Sequence, residues 1–280
     1  MRNKIRVTDG MRRLLEHARY EVLPTATIED KVLASVPKDV PVTVTASTGK
    51  GLEATLSLAE KFVGHGYSAV PHLAARMISG KSELTDLVQR IDAAGIDTIF
   101  VPAGDQTPPA GDYAGAVDLL ADLATIEHRF THIGVTGYPE THPTISDDVA
   151  VQAMWDKRKY ATHVVSNMTF DATLVQKWVK RMRDRGVHMP LLLGIPGPVD
   201  PVKLATMATK IGVGESTRYL VKQRGTLTRL VAPGGYTGES FLAKCATMAA
   251  RPEALVQGLH VFTFNQVAET ENWRQGLLAH

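Results

Sequence analysis

Residues 163–185, HVVSNMTFDATLVQKWVKRMRDR, join a short apolar run to an amphipathic stretch. The run His163–Met168 is typical of a strand buried on both faces of a parallel sheet, and Ala172–Arg185 has the period of a helix. Seven further runs have the same character: Arg19–Leu23, Pro41–Ala46, Ser68–His72, Thr98–Pro102, Thr131–Gly137, Pro190–Ile195 and Leu259–Phe264. Strand–helix alternation repeated about eight times favours a (β/α)8 TIM barrel over an open doubly wound sheet.

Amphipathic stretches lie between most of these strands. The further predicted helices are Leu52–Val63, Ser82–Ala93, Tyr113–Ala124, Asp147–Tyr160 and Pro201–Ile211. We expect Ser82 to cap the second of them and Asp200 to cap the last. Residues 1–17 predict an extra N-terminal helix across the barrel bottom, and residues 212–257 an elaborated connection before the last strand. The sequence therefore predicts a single-domain barrel over residues 1–280.

The composition is that of a globular protein, with 44% hydrophobic residues and a formal net charge of +2. This mild basicity gives no electrostatic case for a nucleic-acid partner. One cysteine, Cys245, excludes an intrachain disulfide and a Cys-rich zinc site, and it fits a reducing compartment. No apolar run has the length of a membrane span, and the first residues lack the apolar core of a signal peptide. We expect a cytoplasmic protein without a membrane partner.

Polar residues collect where the predicted strands end, which is where a barrel of this type carries its chemistry. Glu21 is the strongest candidate for a functional residue among these, because it lies inside the first strand. An acid buried there should have a raised pKa and could act as a general acid. The alternative is a salt bridge to an inward-pointing Lys or Arg, and spacing alone does not choose between them.

Asp105 follows the fourth strand, where Gly-Asp is also ordinary turn chemistry. His72 and His142 could pair as metal ligands, but no third ligand has convincing spacing around them. We predict no metal site. Structural or substrate-binding roles are favoured for both histidines.

Six segments resemble motifs of the methylenetetrahydrofolate reductase family, in its short catalytic-barrel form. GYPETHP is similar to A-Y-P-E-x-H-P almost letter for letter and is the most specific. The others are YEVLP (F-E-F-F-P-P), VPHLA (A-P-H-L), AGDQTPP (R-G-D-x-P-P), WDKRKYATHVVSNMTFD (L-K-x-K…Q-x-F-F-D) and FTFNQ (Y-T-L-N-R). The resemblance runs nearly end to end, with the motifs in the family's order.

The resemblance implies reduction of 5,10-methylenetetrahydrofolate to 5-methyltetrahydrofolate by NADH or NADPH. Glu21 would protonate the departing nitrogen, and ionised Asp105 would stabilise the developing cation. Four further residues become candidates for substrate binding: Asn167, Thr45, Gln266 and Gln106. Five become candidates for cofactor binding: His72, Tyr138, Glu140, His142 and Lys159.

Two departures bear on FAD, which typical family members hold across the barrel mouth. Ala103 replaces the arginine before Gly-Asp, and Gln266 replaces the arginine after the last-strand Asn. These changes favour direct hydride transfer without bound FAD. An FAD-dependent reductase, a tetrahydrofolate-linked one-carbon transfer enzyme and a non-catalytic folate- or protein-binding barrel remain as alternatives. The choice of NADH or NADPH, and the oligomeric state, are left open.

Overall fold

A computed structural model describes residues 7–139, 147–169, 171–198 and 238–280. Its eight strands are β1 Ala18–Val22, β2 Val42–Val44, β3 Ala69–Pro71, β4 Thr98–Val101, β5 His132–Gly137, β6 His163–Ser166, β7 Leu191–Pro196 and β8 Val256–Phe262. The strands pair in the order β3-β2-β1-β8-β7-β6-β5-β4, and every pairing is parallel. A parallel bridge between His72 and Phe100 joins the two ends of this order. The predicted (β/α)8 barrel is confirmed, and each predicted strand overlaps an observed one.

Nine α-helices lie in the described residues. They are α1 Asp9–Glu16, α2 Ile28–Ser35, α3 Gly51–Gly64, α4 Lys81–Ala93, α5 Ala116–Leu123, α6 Asp147–Lys157, α7 Ala172–Asp184, α8 Glu239–Ala249 and α9 Val267–Leu278. The extra N-terminal helix is confirmed as α1, which packs on α8 and β8. The predicted helix Pro201–Ile211 and most of the elaborated connection lie outside the described residues. None of the nine is long and apolar enough to cross a membrane.

The N-cap prediction for α4 is wrong by two residues, because Gly80 and not Ser82 precedes the first turn. Glu83 explains the earlier start. Its carboxylate accepts hydrogen bonds from the backbone N–H of Ser79 at 2.7 Å and from the Ser79 hydroxyl at 2.6 Å. These bonds fold the chain back onto the first turn before Ser82 is reached.

The two-residue period of the strands divides their side chains between an outer and an inner layer. Tyr20 and Val22 belong to the large apolar core that includes the helices. A separate small cluster of Val70, Phe100, Val165 and Leu192 comes from β3, β4, β6 and β7. Polar residues occupy other buried positions on the strands or directly after them, among them Thr43, His72, His163 and His260. The interior is therefore only partly apolar, which is unusual for a barrel centre.

Candidate active site

Glu21 stands at the centre of a buried cluster with two histidines from other strands. His260 of β8 donates a hydrogen bond from Nε2 to Glu21 Oε2 at 2.9 Å. His72, which follows β3, places its Nε2 3.5 Å from the same oxygen, an ion-pair distance without hydrogen-bond geometry. The exposed fraction of the side chain is 15% for Glu21 and 1% for His260. All three residues lie at or near the C-terminal ends of their strands, where the sequence placed the active site.

The pKa of Glu21 is set by opposing effects. Burial is the largest single effect, and it raises the pKa. The hydrogen bond from His260 and the positive charges of His260 and His72 together outweigh it and bring the pKa below its ordinary value. Burial lowers the pKa of His72 to about 4, so His72 is neutral near pH 7. Of the two histidines, His260 is the larger cause of the lowered Glu21 pKa.

Both sequence interpretations of the Glu21 environment are corrected. The raised pKa is wrong, because imidazole partners outweigh the desolvation of the carboxylate. The alternative, a salt bridge to Lys or Arg, is also wrong: among the described residues, the side chains within ion-pair distance of the Glu21 carboxylate are those of His72 and His260. Arg19, two residues earlier on β1, instead places Nη1 3.4 Å from His163 Nε2.

The Arg19–His163 pair is itself strongly perturbed. Burial lowers the pKa of Arg19 to about 10. Burial, followed by the positive charge of Arg19, lowers the pKa of His163 to about 3. His163 is therefore neutral across the physiological range, and one of its ring nitrogens can accept a hydrogen bond from the guanidinium.

Two predicted substrate-binding residues hold buried polar atoms that lack partners in the described structure. Thr45 follows β2 with 9% of its surface exposed, and its Oγ1 makes no hydrogen bond. Gln266 precedes α9, and its Nε2 is likewise buried and unpaired. Buried polar groups are rarely left without a partner.

The other predicted substrate-side residues lie in loops at the same end of the barrel. Asn167 follows β6, and its Oδ1 accepts a hydrogen bond from the Met168 backbone N–H at 2.9 Å. Asp105 and Gln106 follow β4, and the Asp105 side chain is exposed. Arg76 stabilises this loop by donating a hydrogen bond from Nε to the Gln106 backbone oxygen at 2.7 Å.

One of the predicted cofactor-binding residues borders a cavity of about 230 Å³. Tyr138, directly after β5, lines it together with Ala103 and Lys157. Burial lowers the pKa of the Lys157 amine to about 8, and its Nζ lies 3.5 Å from the Thr136 backbone oxygen. Predicted Lys159 is exposed just beyond α6. Glu140 and His142 lie outside the described residues.

Two functional candidates escaped sequence reasoning. His260 lies within an apolar strand and was counted as part of it, although alternation along Val256–Phe262 separates it from Leu259 and Val261, which join the outer core. Lys157 was passed over for Lys159 because a basic run at a helix end gives no indication of which lysine is the less exposed. No group of three His, Cys, Asp or Glu side chains in the described part of the chain is arranged to hold a metal ion.

A sequence model of the methylenetetrahydrofolate reductase family matches residues 25–272. The chain belongs to the methylenetetrahydrofolate reductase family. A curated relative, methylenetetrahydrofolate reductase 2 of Saccharomyces cerevisiae, is 26% identical over 125 residues, which cover 41% of this chain and 21% of that protein. The chain thus matches about a fifth of the length of that relative.

The family match begins after Glu21. The assignment of Glu21 to the site therefore rests on the YEVLP motif and on the geometry of the cluster. Thr45, Asn167 and Gln266 fall inside the matched region, as does His260. Of the three residues of the buried cluster, His72 and His260 therefore lie within the matched region and Glu21 lies just before it.

Proposed function

We propose that the protein reduces 5,10-methylenetetrahydrofolate to 5-methyltetrahydrofolate, with NADH or NADPH as the hydride donor. Family membership supports the substrate class. The observation that carries the proposal is the Glu21 carboxyl group at the C-terminal end of the barrel, where it is hydrogen-bonded to His260 and lies 3.5 Å from His72. A purely structural acid inside a strand is costly, whereas a reductase of this substrate needs a positioned proton donor.

The reaction requires a proton before it can accept a hydride. The substrate's one-carbon bridge joins two nitrogens, so one C–N bond must break to give an iminium at the other nitrogen. Glu21 delivers the proton to the departing nitrogen, and hydride addition to the iminium carbon forms the methyl group. Asp105 supports the positive charge that develops on the substrate. Thr45, Asn167 and Gln266 present the polar groups that orient it.

We further propose that hydride passes directly from the nicotinamide to the substrate. At two positions where the family's typical members carry arginine, this chain has Ala103 and Gln266. Ala103 contributes a methyl group to the wall of the cavity, where a guanidinium would have offered charged hydrogen bonds to FAD. At these two positions the residues present do not fit FAD. Tyr138 and Lys157 line the same cavity, and we assign them to contacts with the nicotinamide dinucleotide.

The test begins with the visible spectrum of the purified protein, followed by NADH and NADPH oxidation with methylenetetrahydrofolate and no added flavin. We expect a colourless protein that oxidises the nucleotide only when folate is present. Yellow protein carrying stoichiometric FAD, or oxidation only after FAD is added, would overturn direct transfer and keep the reductase. Tetrahydrofolate binding without oxidation in any condition would refute the reductase and favour one-carbon transfer.

Glu21→Gln tests the proton donor. We expect kcat to fall by about 10²-fold or more, the usual contribution of a general acid, with folate affinity largely kept. Glu29→Gln is the matched control, because Glu29 is a carboxylate on α2 that pairs with Lys61 and His65 away from the cluster. Turnover of Glu21→Gln equal to that of the control would remove Glu21 from the acid role.

A further inference from the structure

The lowered pKa of Glu21 raises the question of where its proton is kept. An ionised carboxylate cannot donate a proton, so a second group must hold it in the resting enzyme. The only hydrogen bond to the Glu21 carboxylate in the described structure comes from His260 Nε2. His72 is the other neighbour, but it lies at 3.5 Å without hydrogen-bond geometry, and its pKa of about 4 leaves it neutral near pH 7.

His260 is held firmly in place for such a role. Strands β1 and β8 pair in register, with Arg19 opposite His260 and Glu21 opposite Phe262. The imidazole is 1% exposed and packs edge-on against Phe262, with ring centroids 5.0 Å apart. Because both strands belong to the barrel wall, the Nε2–Oε2 contact is fixed by backbone geometry and not by a mobile loop.

The surroundings of His260 favour one exchangeable proton on the pair. Among the described residues, Glu21 from β1, His72 after β3 and His163 on β6 interact electrostatically with it, and Arg19 stands opposite it in the strand register. Of these only Glu21 is acidic. On the far side of the ring, Nδ1 is buried and has no hydrogen-bond partner among the described residues. Within the described part of the chain, the carboxylate is therefore the one acidic group with which His260 can exchange a proton directly.

We propose that His260 positions the Glu21 carboxylate and holds the proton that Glu21 passes to the substrate, an inference that rests on the proposed reductase function. The proton moves from His260 Nε2 to Glu21 Oε2, and the carboxyl group then protonates the departing folate nitrogen. The electron pair of the broken C–N bond stays on that nitrogen and binds the proton. His260 becomes neutral with its remaining proton on Nδ1. Solvent replaces one proton per turnover.

His260→Gln separates proton storage from positioning. The Gln amide can still donate a hydrogen bond to Glu21, but it cannot carry an exchangeable proton. We expect the basic limb of the kcat/KM pH profile to move to lower pH by at least about one unit. At pH values above the basic limbs of both proteins, kcat/KM of the variant should therefore be lower than that of the wild type by about tenfold or more. At acid pH the loss of kcat/KM should be smaller. Folate affinity should be retained.

His163→Gln is the matched control, since it places the same substitution at a buried barrel histidine that does not touch Glu21. Its pH profile should keep the wild-type shape. A wild-type profile in His260→Gln would show that positioning alone matters and would overturn proton storage. An equal loss in His260→Gln at every pH would also overturn it.

A second measurement needs no turnover. Carbon-13 NMR of the labelled Glu21 carboxyl follows its titration in the ligand-free protein. We expect a wild-type pKa below the ordinary value and a higher pKa in His260→Gln, because the imidazolium charge is lost while burial remains. An ordinary or raised pKa in the wild type refutes the pairing even if the variant does not fold. Correct titration in a protein that oxidises no nucleotide would instead count against the reductase proposal.

Discussion

The protein should be destabilised by mild acid because His163 is buried in its neutral form. Its pKa is lowered from 6.5 to about 3 by burial and by the charge of Arg19. As the pH falls below 6.5, the unfolded chain therefore binds a proton at this residue before the folded protein does. Stability is present above the unfolded pKa and is lost progressively as the pH falls toward the folded pKa.

The size of the effect follows from the two pKa values. At about pH 5 the unfolded His163 lies about 1.5 pKa units into its protonated range, whereas the folded residue is still neutral. At about 1.36 kcal/mol per unit, this gives a loss of about 2 kcal/mol in the free energy of unfolding between about pH 7.5 and pH 5. Such a loss is a large share of the stability of an ordinary domain.

Urea denaturation of the wild type and His163→Gln at these two pH values isolates this contribution. Other titrating groups, including His72, act in both proteins and cancel in the difference. We expect the wild type to lose about 2 kcal/mol more than the variant over this range. Equal losses in the two proteins would refute the reasoning, because they would show that His163 carries the same proton occupancy folded and unfolded.

Two substitutions test the packing and the mouth of the barrel. Gly194→Ala should lower the free energy of unfolding, measured by thermal or urea denaturation, by about 3 kcal/mol or more, because a Cβ there would lie 2.0 Å from the Ser166 backbone oxygen. Gly64→Ala is the control, and it should be neutral or stabilising because a Cβ there would meet nothing within 4 Å. Thr45→Val should leave stability within about 0.5 kcal/mol while weakening folate binding, because its buried hydroxyl has no partner in the described structure. Unchanged folate affinity in a titration would remove Thr45 from the substrate site.

The strands were predictable because burial on both faces requires continuous apolar runs, and the sequence displays eight of them. Helices α2 and α9 were not predicted, for different reasons. Helix α2 is short and buries only Ile28 and Val32, too few to establish a period. Helix α9 buries polar residues on its inner face, including Glu271 and Arg274. Tyr20 donates a hydrogen bond to Glu271 at 2.6 Å. Polar pairs therefore hold α9 against the barrel, whereas the predicted helices are held by the apolar contacts that give a helix its recognisable hydrophobic period.

The environment of Glu21 shows why position can be predicted more readily than chemistry. Its place inside the first strand follows from local sequence, but its hydrogen-bond partner comes from a strand 239 residues away. That contact exists only because β8 closes the barrel beside β1 in one particular register. With an apolar residue at position 260, burial would raise the pKa of Glu21. With histidine at that position, the pKa of Glu21 lies below its ordinary value. The sign of the shift, and with it the residue that must store the catalytic proton, thus depends on barrel closure.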